Sequence, residues 1–216
     1  MTFNFNWTQI GELIAILLIA ITWHELAHAF TAQYLGDDTP RRTGHLSLNP
    51  FRHMDQYGIV LLFVSVFASG GNGGFAYGFT PVNERALRPN AKVGGGIVAV
   101  VGPLSNLVLA ALLAIPLRFA SLDPTYGLGH FLALALLLNV FLAVFNLVPL
   151  PPLDGWRVLA TFLSPRALYD LRGIMQYGPF ILLALFLFEP YLHFFTWMNA
   201  FVVAPVSHIL APNVFG

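Results

Sequence analysis

Residues 10–30, IGELIAILLIAITWHELAHAF, form an apolar run long enough to be a membrane helix, and the run ends in HELAH at residues 24–28. Because side chains four positions apart share one face of a helix, His24 and His28 can bind one Zn²⁺ ion together. Glu25 lies beside them, where it can act as general base on a water that the ion activates. Ionisable groups inside a hydrophobic span cost roughly 2.5–3.5 kcal/mol each, so three of them together favour a metal site over a chance match to HExxH.

The composition indicates an integral membrane protein, because 57% of the 216 residues are hydrophobic, 9% are charged and the mean hydropathy is +0.72. Ten basic and ten acidic residues give a formal net charge of zero, which argues against a nucleic-acid partner. The absence of cysteine excludes disulfides, a thiol nucleophile and a cysteine zinc site, and leaves histidines and acids as the strong metal ligands. The first apolar run lacks a basic n-region and a small-residue cleavage site, so we expect a retained helix rather than a signal peptide.

The apolar segments predict an all-α polytopic membrane protein with about five full transmembrane helices, in a single domain covering residues 1–216. The apolar run at 58–69 has 12 residues, whereas a ~30 Å hydrocarbon core needs about 20. Together with the Gly-rich stretch at 70–83, this run predicts a re-entrant element. Residues 43–56 predict a short extended or β segment near the active site. The predicted spans are residues 10–30, 94–119, 128–147, 178–188 and 191–211.

The basic residues predict the orientation of the chain, since short cytoplasmic loops are enriched in Lys and Arg. If residues 57–82 re-enter the membrane, Arg118 alone lies on the far side and the other nine basic residues share one side. The same topology brings the HELAH end, an expected helix break at Gly102-Pro103, Asn146 and Asp154 to one half of the membrane. We therefore expect the active site to lie toward the cytoplasmic side.

Asp154 is the candidate for the third protein ligand that a catalytic zinc site normally has. It follows Pro149, Pro151 and Pro152, which end the preceding helix and hold the aspartate in a stiff turn. An ordinary Asp-Gly turn at the membrane surface is the alternative, and these residues alone leave both interpretations open.

Three motifs together resemble the site-2 protease family of intramembrane zinc metalloproteases. They are HELAH at residues 24–28, GPLSN at 102–106 and FNLVPLPPLDG at 145–155. The resemblance covers residues 10–157 and is closest to the compact bacterial and archaeal branch, which lacks PDZ and CBS domains. It implies a multi-pass protein of a bacterial or archaeal cell membrane.

The resemblance also implies roles for individual residues. Glu25 is expected to be the catalytic acid/base, and Asn146 is expected to assist the substrate carbonyl or its oxyanion. For Asn146, hydrogen bonding between helices is the alternative, and for Asn106 the same two interpretations exist with the structural one favoured. One zinc ion per chain is expected, with three ligands: His24, His28 and Asp154.

The predicted function is hydrolysis of peptide bonds in transmembrane protein substrates, within or at the edge of the lipid bilayer. Because a helix satisfies its own carbonyls, the substrate must unwind, and we expect segments 43–50 and 74–82 to pair with it as an added strand. Phe75→Pro or Tyr77→Pro should then abolish cleavage while zinc stays bound. His53 is interpreted as a surface histidine beside Asp55, with a gate over the zinc ion as the alternative.

Three other functions remain open at this point. A prenyl-protein protease would use a downstream Glu ligand in a second helical motif, whereas this chain offers Asp154 in a proline-rich turn. A metal transporter or a membrane zinc-binding protein without proteolytic activity would carry polar residues along a path on several spans. A catalytically inactive scaffold would have no need of Glu25, which is not a ligand.

Overall fold

Helices dominate the computed structural model, which describes residues 6–71, 73–74, 76–120 and 122–215. No residue in these ranges belongs to a β-strand. Turns of 3₁₀-helix occur at Pro50–Arg52 and Glu84–Ala86, and a π-helical turn occurs at Asn199–Val203. In chain order, the helices are α1 (Trp7–Tyr34), α2 (Thr39–Arg42), α3 (Gln56–Ala68), α4 (Ala91–Phe119), α5 (Gly127–Asn146), α6 (Asp154–Phe162), α7 (Pro165–Asp170), α8 (Arg172–Leu187), α9 (Glu189–Leu192), α10 (Phe194–Met198), α11 (Ala204–Leu210) and α12 (Pro212–Phe215).

Three of these helices, α1, α4 and α5, are long and apolar enough to cross a membrane. They correspond to the first three predicted spans, and they confirm the prediction of an all-α membrane protein. The run at 58–69 becomes α3, whose 13 residues extend about 20 Å, less than the ~30 Å of a hydrocarbon core. The last two predicted spans become α8 and the shorter pieces α9 to α12, which are interrupted at His193 and at the π-helical turn.

Helix α4 lies at the centre of the fold and packs against α1, α5 and α6. Small buried residues along α4, among them Gly95, Ala99 and Ala110, allow its neighbours to approach closely. The side chain of Trp23 on α1 donates a hydrogen bond from Nε1 to the Ser105 carbonyl oxygen on α4, at 2.9 Å. The expected break at Gly102-Pro103 is wrong, because α4 continues through Pro103; packing against the neighbouring helices supports it there.

Residues 76–83 form neither helix nor strand. They lie along the end of α1 that is predicted to face the cytoplasm. The buried carboxylate of Asp37 accepts hydrogen bonds from the backbone N–H groups of Thr39 (2.9 Å) and Asn83 (2.7 Å). The N–H of Phe79 donates to the His53 carbonyl oxygen at 2.8 Å. These bonds position the segment beside the HELAH motif. Phe75, proposed above as a substrate-pairing residue, lies outside the described residues.

Candidate metal centre and active-site cavity

His24 and His28 project from one face of α1, as their spacing predicts, and both are buried. Their rings meet edge to face with centroids 4.6 Å apart, and their Nε2 atoms are separated by 3.0 Å. The helical register alone therefore brings two imidazole nitrogens to one point.

Asp154 reaches the same point from a distant part of the chain. Helix α5 ends at Asn146, a turn follows, and Asp154 is the first residue of α6. The turn is closed by backbone hydrogen bonds from Leu150 to Val148 (2.8 Å) and from Leu153 to Leu150 (2.9 Å). As a result, Asp154 Oδ2 lies 3.0 Å from His24 Nε2 and 3.2 Å from His28 Nε2.

A chain of buried amides fixes the orientation of the His24 ring. Asn139 on α5 donates from Nδ2 to the Ala135 carbonyl oxygen (2.8 Å), so its Oδ1 faces Asn106. Asn106 donates from Nδ2 to that Oδ1 (2.8 Å) and to the Ala20 carbonyl oxygen (3.2 Å), which turns its own Oδ1 toward His24. His24 therefore donates from Nδ1 to Asn106 at 2.6 Å, which leaves the lone pair of the neutral imidazole on Nε2.

The ring of His28 is oriented by the backbone instead. Its Nδ1 donates to the Val98 carbonyl oxygen on α4 at 2.7 Å, which leaves the lone pair of the neutral imidazole on Nε2. A sequence pattern cannot specify this backbone contact, since any residue at position 98 would carry the same carbonyl.

These three ligand atoms fit a zinc ion. With both imidazoles neutral, two imidazole lone pairs and a carboxylate oxygen converge at one point, and a bound cation would offset their mutual repulsion. Their separations of 3.0–3.2 Å are close to the about 3.3 Å expected between ligands of a tetrahedral zinc at 2.0–2.1 Å. Among the described residues, His24, His28 and Asp154 are the one group of three or more His, Asp or Glu side chains with this property.

Gly102 lies directly against this centre, which gives the glycine of GPLSN a role that the sequence did not indicate. A Cβ atom at position 102 would overlap the Nε2 atoms of both His24 and His28. Only glycine leaves room on α4 for the two imidazole edges and an ion between them. The close packing of Gly102 is therefore part of the candidate metal centre.

Glu25 is buried beside the ligands, under the segment 76–83. Its carboxylate oxygen Oε2 accepts a hydrogen bond from the Thr80 hydroxyl at 2.7 Å, and its backbone carbonyl oxygen lies 3.1 Å from the same hydroxyl. Gly78 passes over the side chain so closely that a Cβ there would lie 2.7 Å from Glu25 Cγ and 2.8 Å from Oε1. The segment thus covers Glu25 without adding a side chain beside Oε1.

A cavity of about 320 Å³ opens beside Glu25 and the ligands. Its polar lining residues include His24, Glu25 and Asp154, and most of the others are apolar, as expected for a site that binds an apolar segment of chain. Asn146 also lines the cavity, and its Nδ2 donates to the Leu142 carbonyl oxygen at 2.9 Å. The walls come from α1, residues 73, 74 and 76–78, α5, the turn before α6, and α8; the lining residues include Leu17, Ile21, Tyr77, Phe141, Phe145 and Leu182.

Other polar residues singled out in the sequence have structural partners. Asn106 bridges α1, α4 and α5, in line with the structural interpretation, and it also orients a ligand. The interpretation of His53 as a surface residue is wrong, since the side chain is 1% exposed and donates from Nε2 to the Ser47 carbonyl oxygen at 2.6 Å. Asn139 and Thr80 were missed; a single Asn inside the apolar run 128–147 was a usable signal, whereas Thr80 in a Gly-rich segment gave none.

Comparison with known proteins finds relatives that are named as zinc metalloproteases. Residues 123–186 match the profile described as peptidase family M50. YwhC of Bacillus subtilis, which is named as a zinc metalloprotease, is 35% identical over 181 residues, or 81% of this chain and 79% of YwhC. Rip2 of Mycobacterium tuberculosis, also named as a zinc metalloprotease, is 34% identical over 208 residues, or 92% of this chain and 76% of Rip2. No solved structure matches the chain significantly.

Proposed function

This chain belongs to peptidase family M50, the intramembrane zinc metalloproteases, and we propose that His24, His28 and Asp154 bind its zinc ion while Glu25 carries the proton during hydrolysis. The protein is a zinc-dependent protease that acts on membrane proteins in a lipid environment. The observation that carries the residue assignment is the convergence of three potential ligand atoms beside a largely apolar cavity. No finding supports the alternative of a zinc-binding protein or transporter without proteolytic activity.

The chemistry divides between the ion and the side chains around it. When bound, zinc would polarise the scissile carbonyl and lower the pKa of a coordinated water toward about 7. Glu25 is placed to accept the proton of the attacking water and to return it to the leaving amine. Asn146 has two amide N–H groups and gives one to Leu142, so the other can donate to the substrate oxygen on which negative charge develops.

The substrate is proposed to enter as an unwound stretch of a transmembrane segment. One backbone edge of the segment 76–83 is already used, because the Phe79 N–H donates to the His53 carbonyl oxygen. Ala76, Tyr77 and Gly78 line the cavity, where we take the second backbone edge to lie. An extended polypeptide could add to this second edge, with its main-chain groups bonding to the protein and its side chains against the apolar walls. Such addition would draw the scissile carbonyl away from its helical partner.

The membrane arrangement is part of the proposal. Helices α1, α4 and α5 span the bilayer, α8 and the α10–α11 region complete about five crossings, and α3 enters and returns on one side. The 13-residue length of α3 supports this, and so does the distribution of basic residues, since only Arg118 of the ten lies near the α4–α5 connection, in the last turn of α4. The active site then faces the cytoplasmic side, in a single domain covering residues 1–216.

Two substitutions test the residue roles in protein reconstituted into lipid vesicles. The probe is a single-span polypeptide with a Gly-Pro step in its span and a fluorophore and quencher at its ends. Glu25→Gln should keep one zinc per chain and lower kcat by at least about 100-fold, within the range of general acid–base catalysis. Asp154→Ala should lose both zinc and cleavage, because a coordinating oxygen is removed.

Zinc is measured by mass spectrometry on the purified variants. Parent protein without zinc, an intact probe after incubation with parent protein, or full activity of Glu25→Gln would each overturn the proposal.

A further inference from the structure

We propose that Thr80 is a positioning residue for Glu25: its hydroxyl holds one carboxylate oxygen, Oε2, so that the other, Oε1, remains directed at the reacting groups. This inference rests on the proposed function, in which Glu25 transfers the proton. It assigns a role to a residue outside the HELAH and LDG motifs and in a segment without regular secondary structure.

The contact between Thr80 and Glu25 is short and buried. The Thr80 residue is 8% exposed, and its Oγ1 lies 2.7 Å from Glu25 Oε2 and 3.1 Å from the Glu25 carbonyl oxygen. A hydroxyl has one hydrogen to donate, and the carboxylate oxygen is both the nearer and the stronger acceptor. The bond therefore runs from Thr80 to Oε2, with the backbone oxygen as a second acceptor within reach.

The two carboxylate oxygens of Glu25 are thereby made different. Oε2 is engaged by the hydroxyl, while Oε1 lies beside Gly78, and both Glu25 and Gly78 line the cavity. A free Glu side chain rotates about three bonds, so fixing one oxygen selects the orientation in which Oε1 can accept and return a proton. Misplacement of a reacting group by about 1 Å can cost 100-fold in rate, which sets the scale of the effect.

The segment that carries Thr80 is held without the Thr80 hydroxyl. Asn83 is bound to the Asp37 carboxylate, and the Phe79 N–H is bound to the His53 carbonyl oxygen. Removing the hydroxyl should therefore leave the backbone of the segment in place, and with it the proposed substrate edge at residues 76–78. Orientation of Glu25 and placement of the segment can then be separated by experiment.

The test compares Thr80→Val, which removes the hydroxyl at nearly constant volume, with Thr80→Ser, which retains it. With the single-span probe in vesicles, Thr80→Val should lower kcat about 10- to 100-fold with KM within about twofold of the parent. Thr80→Ser should restore kcat to within about threefold. Zinc content and the midpoint of thermal unfolding should be those of the parent in both variants.

Thr22→Val is the matched control, because Thr22 is also buried on α1 near the ligands but its hydroxyl donates to the Leu18 carbonyl oxygen at 2.6 Å. It should behave as the parent does. If Thr80→Val does not fold, Thr80→Ala serves in its place, since a smaller side chain adds no contact. Parent-like kcat in Thr80→Val, no recovery in Thr80→Ser, or a loss confined to KM, zinc content or unfolding temperature would overturn the inference.

Failure of this inference is distinguishable from failure of the proposed function. If Glu25→Gln keeps the kcat of the parent, Glu25 does not carry the proton and both ideas fail. If Glu25→Gln is inactive while Thr80→Val is unaffected, the function stands and Thr80 has no positioning role.

Discussion

Helix α1 carries ionisable residues near both of its ends, and the two regions are built in opposite ways. Toward its N-terminus, Glu12 Oε2 faces His130 Nδ1 of α5 at 3.3 Å, with the two side chains 21% and 35% exposed. Toward its C-terminus, His24 and His28 are fully enclosed and meet Asp154. The first region pairs a carboxylate with an imidazole that can donate to it, whereas the second brings the Nε2 atoms of two imidazoles to one carboxylate oxygen.

This difference shows how a buried polar cluster indicates a ligand. A donor facing an acceptor is satisfied within the protein and needs nothing else. Convergent acceptors whose orientations are fixed by outer hydrogen bonds are unfavourable until a cation binds between them. Ionisable residues within an apolar helix are therefore not equivalent, and the direction of their lone pairs distinguishes a metal centre from a structural pair.

The largest expected effect is a loss of zinc affinity when one carbon atom is added at the metal centre. Gly102→Ala would place a Cβ against the Nε2 atoms of His24 and His28, so zinc affinity should fall by more than about 100-fold, beyond the usual effect of an outer partner. Titration with a zinc-competing chelator measures the change. Gly11→Ala is the control. Gly11 lies at the same end of α1 as Glu12, and no atom lies within 4 Å of the position that its Cβ would take. Unchanged zinc affinity in Gly102→Ala would contradict the geometry described for the site.

An intermediate effect is expected from the amides that orient His24. Asn106→Leu removes the acceptor of the His24 Nδ1–H and should lower zinc affinity about 10- to 100-fold, the range for partners that orient metal ligands. Asn139→Leu acts one bond further away and should have a smaller effect in the same direction. The same chelator titration ranks the two variants. A larger loss of zinc affinity in Asn139→Leu than in Asn106→Leu would show that the order of the hydrogen bonds from Asn139 through Asn106 to His24 is wrong.

The smallest effect is expected at the other end of α1. Glu12→Gln removes the charge from a partly exposed pair, so the free energy of unfolding should change by at most about 1 kcal/mol. Zinc content and cleavage should be those of the parent, because the pair faces no cavity residue of the metal centre. Denaturation in mild detergent and zinc analysis check both statements. A loss of zinc in Glu12→Gln would mean that the two ends of α1 are coupled, and the contrast between them would not hold.

Much of the candidate site could be predicted because it depends on local geometry. The i, i+4 spacing of His24 and His28 fixes a common face on any helix, and the cost of ionisable groups in an apolar run indicated that the pair needs a partner. Asp154 was reachable as the acid that follows a stiff proline turn, but the alternative of an ordinary Asp-Gly turn remained. Only the folded chain placed its Oδ2 within 3.2 Å of both imidazoles.

The interior of α4 was harder to predict. The sequence indicated a break at Gly102-Pro103, since proline removes a helical hydrogen bond, yet the helix continues there. The Val98 carbonyl oxygen, one turn before Gly102, also accepts a hydrogen bond from His28, a contact that the sequence could not indicate. The rule that proline breaks a helix applies to isolated helices and does not include neighbouring helices that support the turn. It could therefore indicate that Gly102-Pro103 is unusual, but not what the pair does.

By itself the sequence determined the membrane class, the ligand pair on α1, the neighbouring Glu25 and the resemblance that implied a zinc protease. These follow from composition and from spacings of a few residues, which a helix converts directly into geometry. The tertiary structure alone decided that Asn139 and Asn106 orient His24, that Gly102 makes room for the ion, and that Thr80 bonds Glu25. Each of these contacts joins residues more than 30 positions apart, and their meeting depends on how whole helices pack and where the chain between them returns.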